Sequence, residues 1–155
     1  MKAMRKKKFE LSEESAISIL KNAEYGVLST ISDDGTPYGV PMNYVFEGDE
    51  IFLHCAKEGH KIDNMLNNPN VCFTVVGKAI LIPERSTTAY ESAIVFGKAT
   101  IMLSDAEKVD ILRKFVKRFL PASQYEAVMK KVEETISMHG VVRIDITGIS
   151  GKSRE

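Results

Sequence analysis

At 155 residues the chain has the length of one domain and can bury a sizeable core. Lysine plus arginine equals aspartate plus glutamate, 21 each, so no net field draws the protein to nucleic acid or to an anionic membrane. Apolar residues reach 44%, yet no run approaches the roughly 20 needed to span a bilayer, and two cysteines make neither a disulfide framework nor a zinc quartet.

Residues 1–10 read as a flexible basic arm, with Lys2 and Lys8 at the ends of its charged part. No apolar stretch of a signal peptide follows it, and the cytoplasm is the expected address. Ser12 fits a helix N-cap, with Glu13 and Glu14 placed where negative charge meets the helix dipole favourably. Ala16, Ile17, Ile19, Leu20 and Ala23 form its apolar stripe, which predicts a helix to about residue 22. A strand over 25–31 is followed by a turn, Ser32-Asp33-Asp34-Gly35-Thr36-Pro37.

Two extended segments, 38–46 and 50–55, then flank Glu47-Gly48-Asp49 and read as a hairpin. Tyr38, Val40, Met42, Tyr44 and Phe46 fall on one face of the first strand; Ile51, Leu53 and Cys55 alternate with Phe52 and His54 on the second. Neither face is simply polar, so the hairpin is expected between two covered surfaces. The crossing that follows, Ala56-Lys57-Glu58-Gly59-His60-Lys61, leads into a short helix at 60–66, the kind of helix start that suits an anion.

Asn67-Asn68-Pro69 stops that helix, and 71–76 is a fourth strand. Residues 77–87, interrupted by Pro83, read as strand end plus loop. A long strand follows over 89–103, where Gly97 suggests a bulge or bend. Two helices are expected from capping boxes at Ser104-Asp105-Ala106-Glu107 and Ser123-Gln124-Tyr125-Glu126. His139 is placed to complement a helix C-terminus, and 141–146 alternates as a last strand. The sum is a mainly β, α+β chain: six antiparallel strands forming a small barrel with flanking helices.

Several segments resemble a known family: Gly26-Val27-Leu28-Ser29-Thr30, then residues 34–44 beginning Asp34-Gly35-Thr36-Pro37, then Phe52-Leu53-His54-Cys55-Ala56 with Gly59-His60-Lys61. Asn68-Pro69-Asn70-Val71, residues 89–99 and Ile146-Thr147-Gly148 continue the match. Together they resemble the split-barrel flavoproteins related to pyridoxamine 5′-phosphate oxidase, most nearly the 5-nitroimidazole-resistance branch, over about residues 12–152.

This resemblance implies a homodimer holding two FMN molecules at the subunit interface. It implies Pro41, Met42, Asn43 and Tyr44 as the floor under the flavin ring, and His60 and Lys61 as phosphate donors. Thr30 and the strand end His54-Cys55-Ala56 would line the ribityl and phosphate side, and Ser92 and Ile94 the wall from the partner. His54 is the candidate for substrate orientation or proton relay; the alternative is a histidine satisfied inside the barrel. Cys55 reads as an inert thiol. The implied activity is FMN-dependent reduction of a small acceptor, nitroaromatic or quinone-like, with a non-catalytic flavin- or haem-binding storage or sensor protein as the alternative. The oxidase's Arg-Leu-x-Pro ending is missing, so vitamin B6 oxidation is not expected. No Gly-x-Gly-x-x-Gly fingerprint identifies a nicotinamide donor.

Overall fold

The computed structural model describes residues 3–154, so Met1, Lys2 and Glu155 lie outside the described residues. The central hairpin is formed by β3 (Pro37–Glu47) and β4 (Glu50–Ala56), and its two faces are both covered, as its sequence suggests. Tyr44, Ile51 and Leu53 point into one core, against Leu28, Phe73, Val95 and Ile144. Val45 and Phe52 point the other way, into a second core with Ile111, Leu112 and Val141. Alternation with period two therefore carries one strand pair between two apolar layers.

The other strands are β1 (Glu10–Leu11), β2 (Tyr25–Ile31), β5 (Asn70–Ile82), β6 (Thr87–Ile101) and β7 (His139–Arg154). All their pairings are antiparallel. β4, β3, β2, β5, β6 and β7 neighbour one another in that order, and β7 pairs again with β4, so six strands close into a ring. A seventh, short strand differs from the expected six: β1 pairs Glu10 with Lys152 and Leu11 with Gly151. The end of the basic arm is thereby tied to the sheet, with a 3₁₀ turn at Lys7–Phe9.

Other departures have local causes. The stretch at 77–82 is strand, because β6 supplies partners from Ala79↔Tyr90 to Ile82↔Thr87 beyond an irregularity after Val76. β7 runs eight residues past 146, because β6 and β1 both pair with that extension. Gly97 does sit at a register shift between β6 and β7. A Cβ there would lie 2.5 Å from Ile144 Cγ2 and 2.6 Å from the Asp145 carbonyl oxygen, which is why the corner takes glycine.

Among the described residues four helices cover the ring: α1 (Glu13–Asn22), α2 (His60–Asn67), α3 (Asp105–Phe119) and α4 (Tyr125–Glu134). Ser12 and Ser104 cap α1 and α3, each accepting from a main-chain N–H three residues on. Ser123 does not cap α4; it lies in a 3₁₀ turn, and Gln124 precedes the helix without a side-chain cap. α1 seals the barrel with Ala16, Ile19 and Leu20, and the buried Tyr44 hydroxyl donates to the Leu20 carbonyl at 2.6 Å. Arg118 ties α3 to the same helix end, donating to the carbonyls of Lys21 and Ala23 at 3.2 and 2.7 Å.

Gly97→Ala is expected to lower unfolding stability by about 2 kcal/mol, the scale of forced overpacking against a strand that cannot withdraw. Urea denaturation read by circular dichroism measures it; an unchanged midpoint would show that β7 yields freely at this corner.

Candidate functional site

The ring is open along one seam. β3 and β4 are paired from Glu47↔Glu50 to Tyr44↔Leu53 and no further. Beyond that point residues 37–43 of β3 pair only with β2, while His54, Cys55 and Ala56 of β4 pair only with β7. Main-chain N–H and C=O groups along the facing edges thus lack a strand partner among the described residues, a costly state unless something else bonds to them. Pro41, which has no N–H to offer a ladder, is tolerated here because one edge of its strand is free.

A groove of about 580 Å³ follows the seam. One lip is Val40, Pro41, Met42 and Asn43; the other is His54, Cys55, Ala56 and Lys61. Phe115, Val116, Phe119 and Leu120 from the end of α3 roof it. The volume falls within the range of small-molecule sites, and the lining mixes apolar side chains with a few polar groups. A second hollow of about 660 Å³, between α1 and β5, holds none of the candidate residues.

Seven of the twelve candidates meet at this groove: Pro41, Met42, Asn43, His54, Cys55, Ala56 and Lys61. Three side chains go elsewhere. Thr30 is buried under α2, where its hydroxyl accepts from the Asn64 amide at 2.9 Å. Tyr44 is a core residue, as its inward position on β3 dictates, and burial pushes its phenol up to about 12. His60 leans on the Tyr38 ring at 4.2 Å and bonds Ser32 at 2.8 Å, so its imidazole faces away from the groove. Ser92 and Ile94 stand half-buried on β6, opposite Val76 and Thr74, outside the groove of their own chain.

The α3 roof was missed as a site element. Phe115, Val116 and Phe119 carry the apolar signal of a core-facing stripe, and nothing in that spacing separates a core from a groove. His139 corrects the expectation of a dipole partner. It opens β7 after a 3₁₀ turn, and its ring bonds His54 and Thr135.

Charge in the groove is sparse. Lys61 is the only charged residue of the lining, sits in the first turn of α2, and makes no hydrogen bond or ion pair among the described residues. Gly59, with φ at 117°, lets the chain turn from the strand into that helix. A half-buried cation beside free helix amides and a free strand edge fits a flat heterocycle carrying a phosphate. Burial pushes the Cys55 thiol up, only partly opposed by Lys61, so Cys55 stays protonated near neutrality. Burial, and then the neighbouring His139, hold the His54 imidazole below its ordinary value.

An antiparallel ring split along one seam, roofed by a helix and holding a lone cation, defines a split-barrel protein with a small-molecule groove. Residues 12–153 match the pyridoxamine 5′-phosphate oxidase family, and the chain belongs to that family. No curated protein matches it by sequence. A candidate 5-nitroimidazole antibiotic resistance protein from Bacteroides thetaiotaomicron shares the fold with a TM-score of 0.76 and 23% identity, over 94% of this chain and 90% of that one. The flavocytochrome Anf3 from Azotobacter vinelandii gives 0.79 and 20%, over 99% and 72%. An FAD-binding protein from Mesorhizobium loti gives 0.66 and 21%, over 94% and 97%.

The lowered His54 value sets a sign. The unfolded chain takes up this proton at higher pH than the folded one, so stability falls as pH drops from about 6.5 toward the folded value. His54→Gln is expected to remove part of that fall when urea midpoints at about pH 7.5 and 5.5 are compared. An equal fall in both proteins would place the coupling at other groups.

Proposed function

We propose that the protein binds FMN in the seam groove and uses it to reduce a small planar acceptor, nitroaromatic or quinone-like. The observation that carries this reading is the β3 edge at Val40 to Asn43, unpaired among the described residues, lying across from Lys61, which has no partner among them. Family membership supports it, as does the FAD-binding relative of the same fold. One cation at one helix start suits a single phosphate, which favours the mononucleotide over FAD.

In this reading Lys61 and the main chain at the start of α2 hold the phosphate. On the seam side of β3 the Asn43 N–H and the Pro41 carbonyl bond the polar edge of the ring, and Pro41, with no N–H, keeps that edge free of another strand. Asn43 is oriented by its own amide, which donates to the Glu24 carbonyl at 2.9 Å. Phe115 and Phe119, whose rings stack at 6.1 Å, exclude water above the groove and offer an apolar wall to a flat acceptor. When bound, the flavin supplies two-electron transfer; the protein supplies position, dryness and protons.

We further propose a homodimer in the cytoplasm with two such sites. Val76, Ile80, Leu81 and Phe96 are exposed apolar side chains of β5 and β6, around the position of Ser92 and Ile94. A second copy covering them would bring Ser92 and Ile94 to the neighbouring groove as its outer wall.

Lys61→Ala should weaken FMN binding by about 10- to 100-fold, the scale of one charge-assisted hydrogen bond. Quenching of flavin fluorescence on titration reads it, and unchanged affinity would remove Lys61 from the phosphate site. Turnover of a nitroaromatic or a quinone by the FMN-loaded protein, with chemically reduced flavin as the starting state, tests the activity. Reduced flavin that is stable to every such acceptor would leave binding without catalysis.

A further inference from the structure

Two histidines meet where β4 and β7 leave the seam. Ala56 is opposite His139 and His54 is opposite Val141, so the two imidazoles are diagonal neighbours on one face of the strand pair. His54 Nε2 lies 2.9 Å from His139 Nδ1. The other nitrogen of His139, Nε2, lies 3.0 Å from Thr135 Oγ1. Thr135 Oγ1 in turn donates to the Lys131 carbonyl at 2.8 Å, one turn back along α4. His54 lines the groove; His139 and Thr135 stand behind it.

Counting hydrogens orders this chain. A threonine hydroxyl has a single hydrogen, and here the Lys131 carbonyl takes it. Thr135 can then only accept from His139, so His139 carries its proton on Nε2 and presents a lone pair at Nδ1. His54 must donate to that lone pair from its own Nε2. Its Nδ1 is left as the basic nitrogen, free for a ligand in the groove. The donors run one way, from His54 through His139 and Thr135 to the main chain of α4.

We propose that His139 and Thr135 are positioning residues that lock His54 in the Nε2–H tautomer, so that Nδ1 gives a proton to the acceptor reduced in the groove. The role rests on the reductase reading above. Two-electron reduction of a quinone-type acceptor consumes two protons. A bound reduced flavin would supply one together with the electrons; the other leaves Nδ1–H of the His54 imidazolium as the new O–H bond forms. His54 returns to neutral and is reprotonated from water.

Surrounding groups keep the proton mobile. Protonating both rings would set two N–H groups face to face at 2.9 Å, so the pair carries one extra proton at a time. Lys61 of α2 is the charged group sharing the groove wall, while burial and then His139 oppose a lasting positive charge on His54. From α3 the neighbour is the edge of the Phe115 ring, 6.2 Å away. Lys114 and Arg118 of that helix are engaged, with Glu47 and with the carbonyls at the end of α1. The thiol of Cys55, next along β4, is held neutral by burial.

The test is a two-bond ¹H–¹⁵N correlation spectrum of the full chain with labelled histidine, recorded flavin-free and flavin-loaded between about pH 5 and 8. The wild-type protein should show His54 with Nε2 protonated and Nδ1 bare above its titration. Thr135→Val should mix the tautomers of both histidines; Thr135→Ser, which keeps the hydroxyl, should restore the wild-type pattern. Acceptor reduction by Thr135→Val should fall about tenfold in kcat, less than the roughly 100-fold or more that loss of the general acid itself would cost, with KM and flavin retention unchanged. A His54 with Nδ1–H in the wild type would overturn the proposal, and so would tautomers indifferent to Thr135→Val or kcat unmoved when they mix. A protein that kept the single tautomer but bound no flavin would refute the reductase reading and leave the locked pair standing. If Thr135→Val failed to fold, the wild-type and Thr135→Ser spectra would still decide the tautomer.

Discussion

β3 and β4 leave the hairpin turn as hydrogen-bonded partners and separate after Tyr44 and Leu53, and the site follows from that parting. β3 is held by β2 through seven consecutive residue pairs, while β4 is drawn off by β7. The pull depends on how closely β7 can approach. At Gly140 a Cβ would lie 2.5 Å from the Ala56 carbonyl oxygen, a main-chain atom with nowhere to go. Glycine there lets β7 take the end of β4, and in the proposed function the unsatisfied edge of β3 serves as a binding surface.

The same parting fixes the chemistry. The lips are strand edges, so most of what they offer is main-chain donors and acceptors, which suit the polar rim of a heterocycle better than an ion. The one cation comes from the next element, because α2 begins as soon as β4 ends and brings Lys61 to the groove. The roof comes from α3, which Arg118 fastens to the end of α1; its aromatic residues stay over the groove without filling it. With balanced overall charge, the chain has no net field to steer a ligand from a distance.

How much of this was legible in the sequence depends on what each pattern encodes. Alternation at 38–46 and 50–55 marks a hairpin buried on both faces, and both cores are there. Ser12 and Ser104 announce helix starts because capping is a local bond, whereas Ser123 carries the same pattern and the chain spends it in a 3₁₀ turn. The strand at 79–82 was hidden because its order comes from pairing with 87–90, a distant stretch that local propensity does not see. At the site, motif matching brought Pro41, Met42, Asn43, His54, Cys55, Ala56 and Lys61 together, but a motif does not say which way a side chain points. Tyr44 and Thr30 lie on the inward face of their strands, and the core claims them. His139 could be linked to His54 only through the β4–β7 register, which pairs residues 85 apart in the chain.

The central claim is that the free edge of β3 binds the flavin ring. Amide hydrogen exchange, followed residue by residue with and without saturating FMN, measures it directly. The account predicts slowed exchange at the seam-facing amides of β3, those of Gly39 and Asn43, with little change along β5 and β6 at constant oligomeric state. FMN that binds while those amides exchange as fast as before, with protection gathered elsewhere, would contradict it.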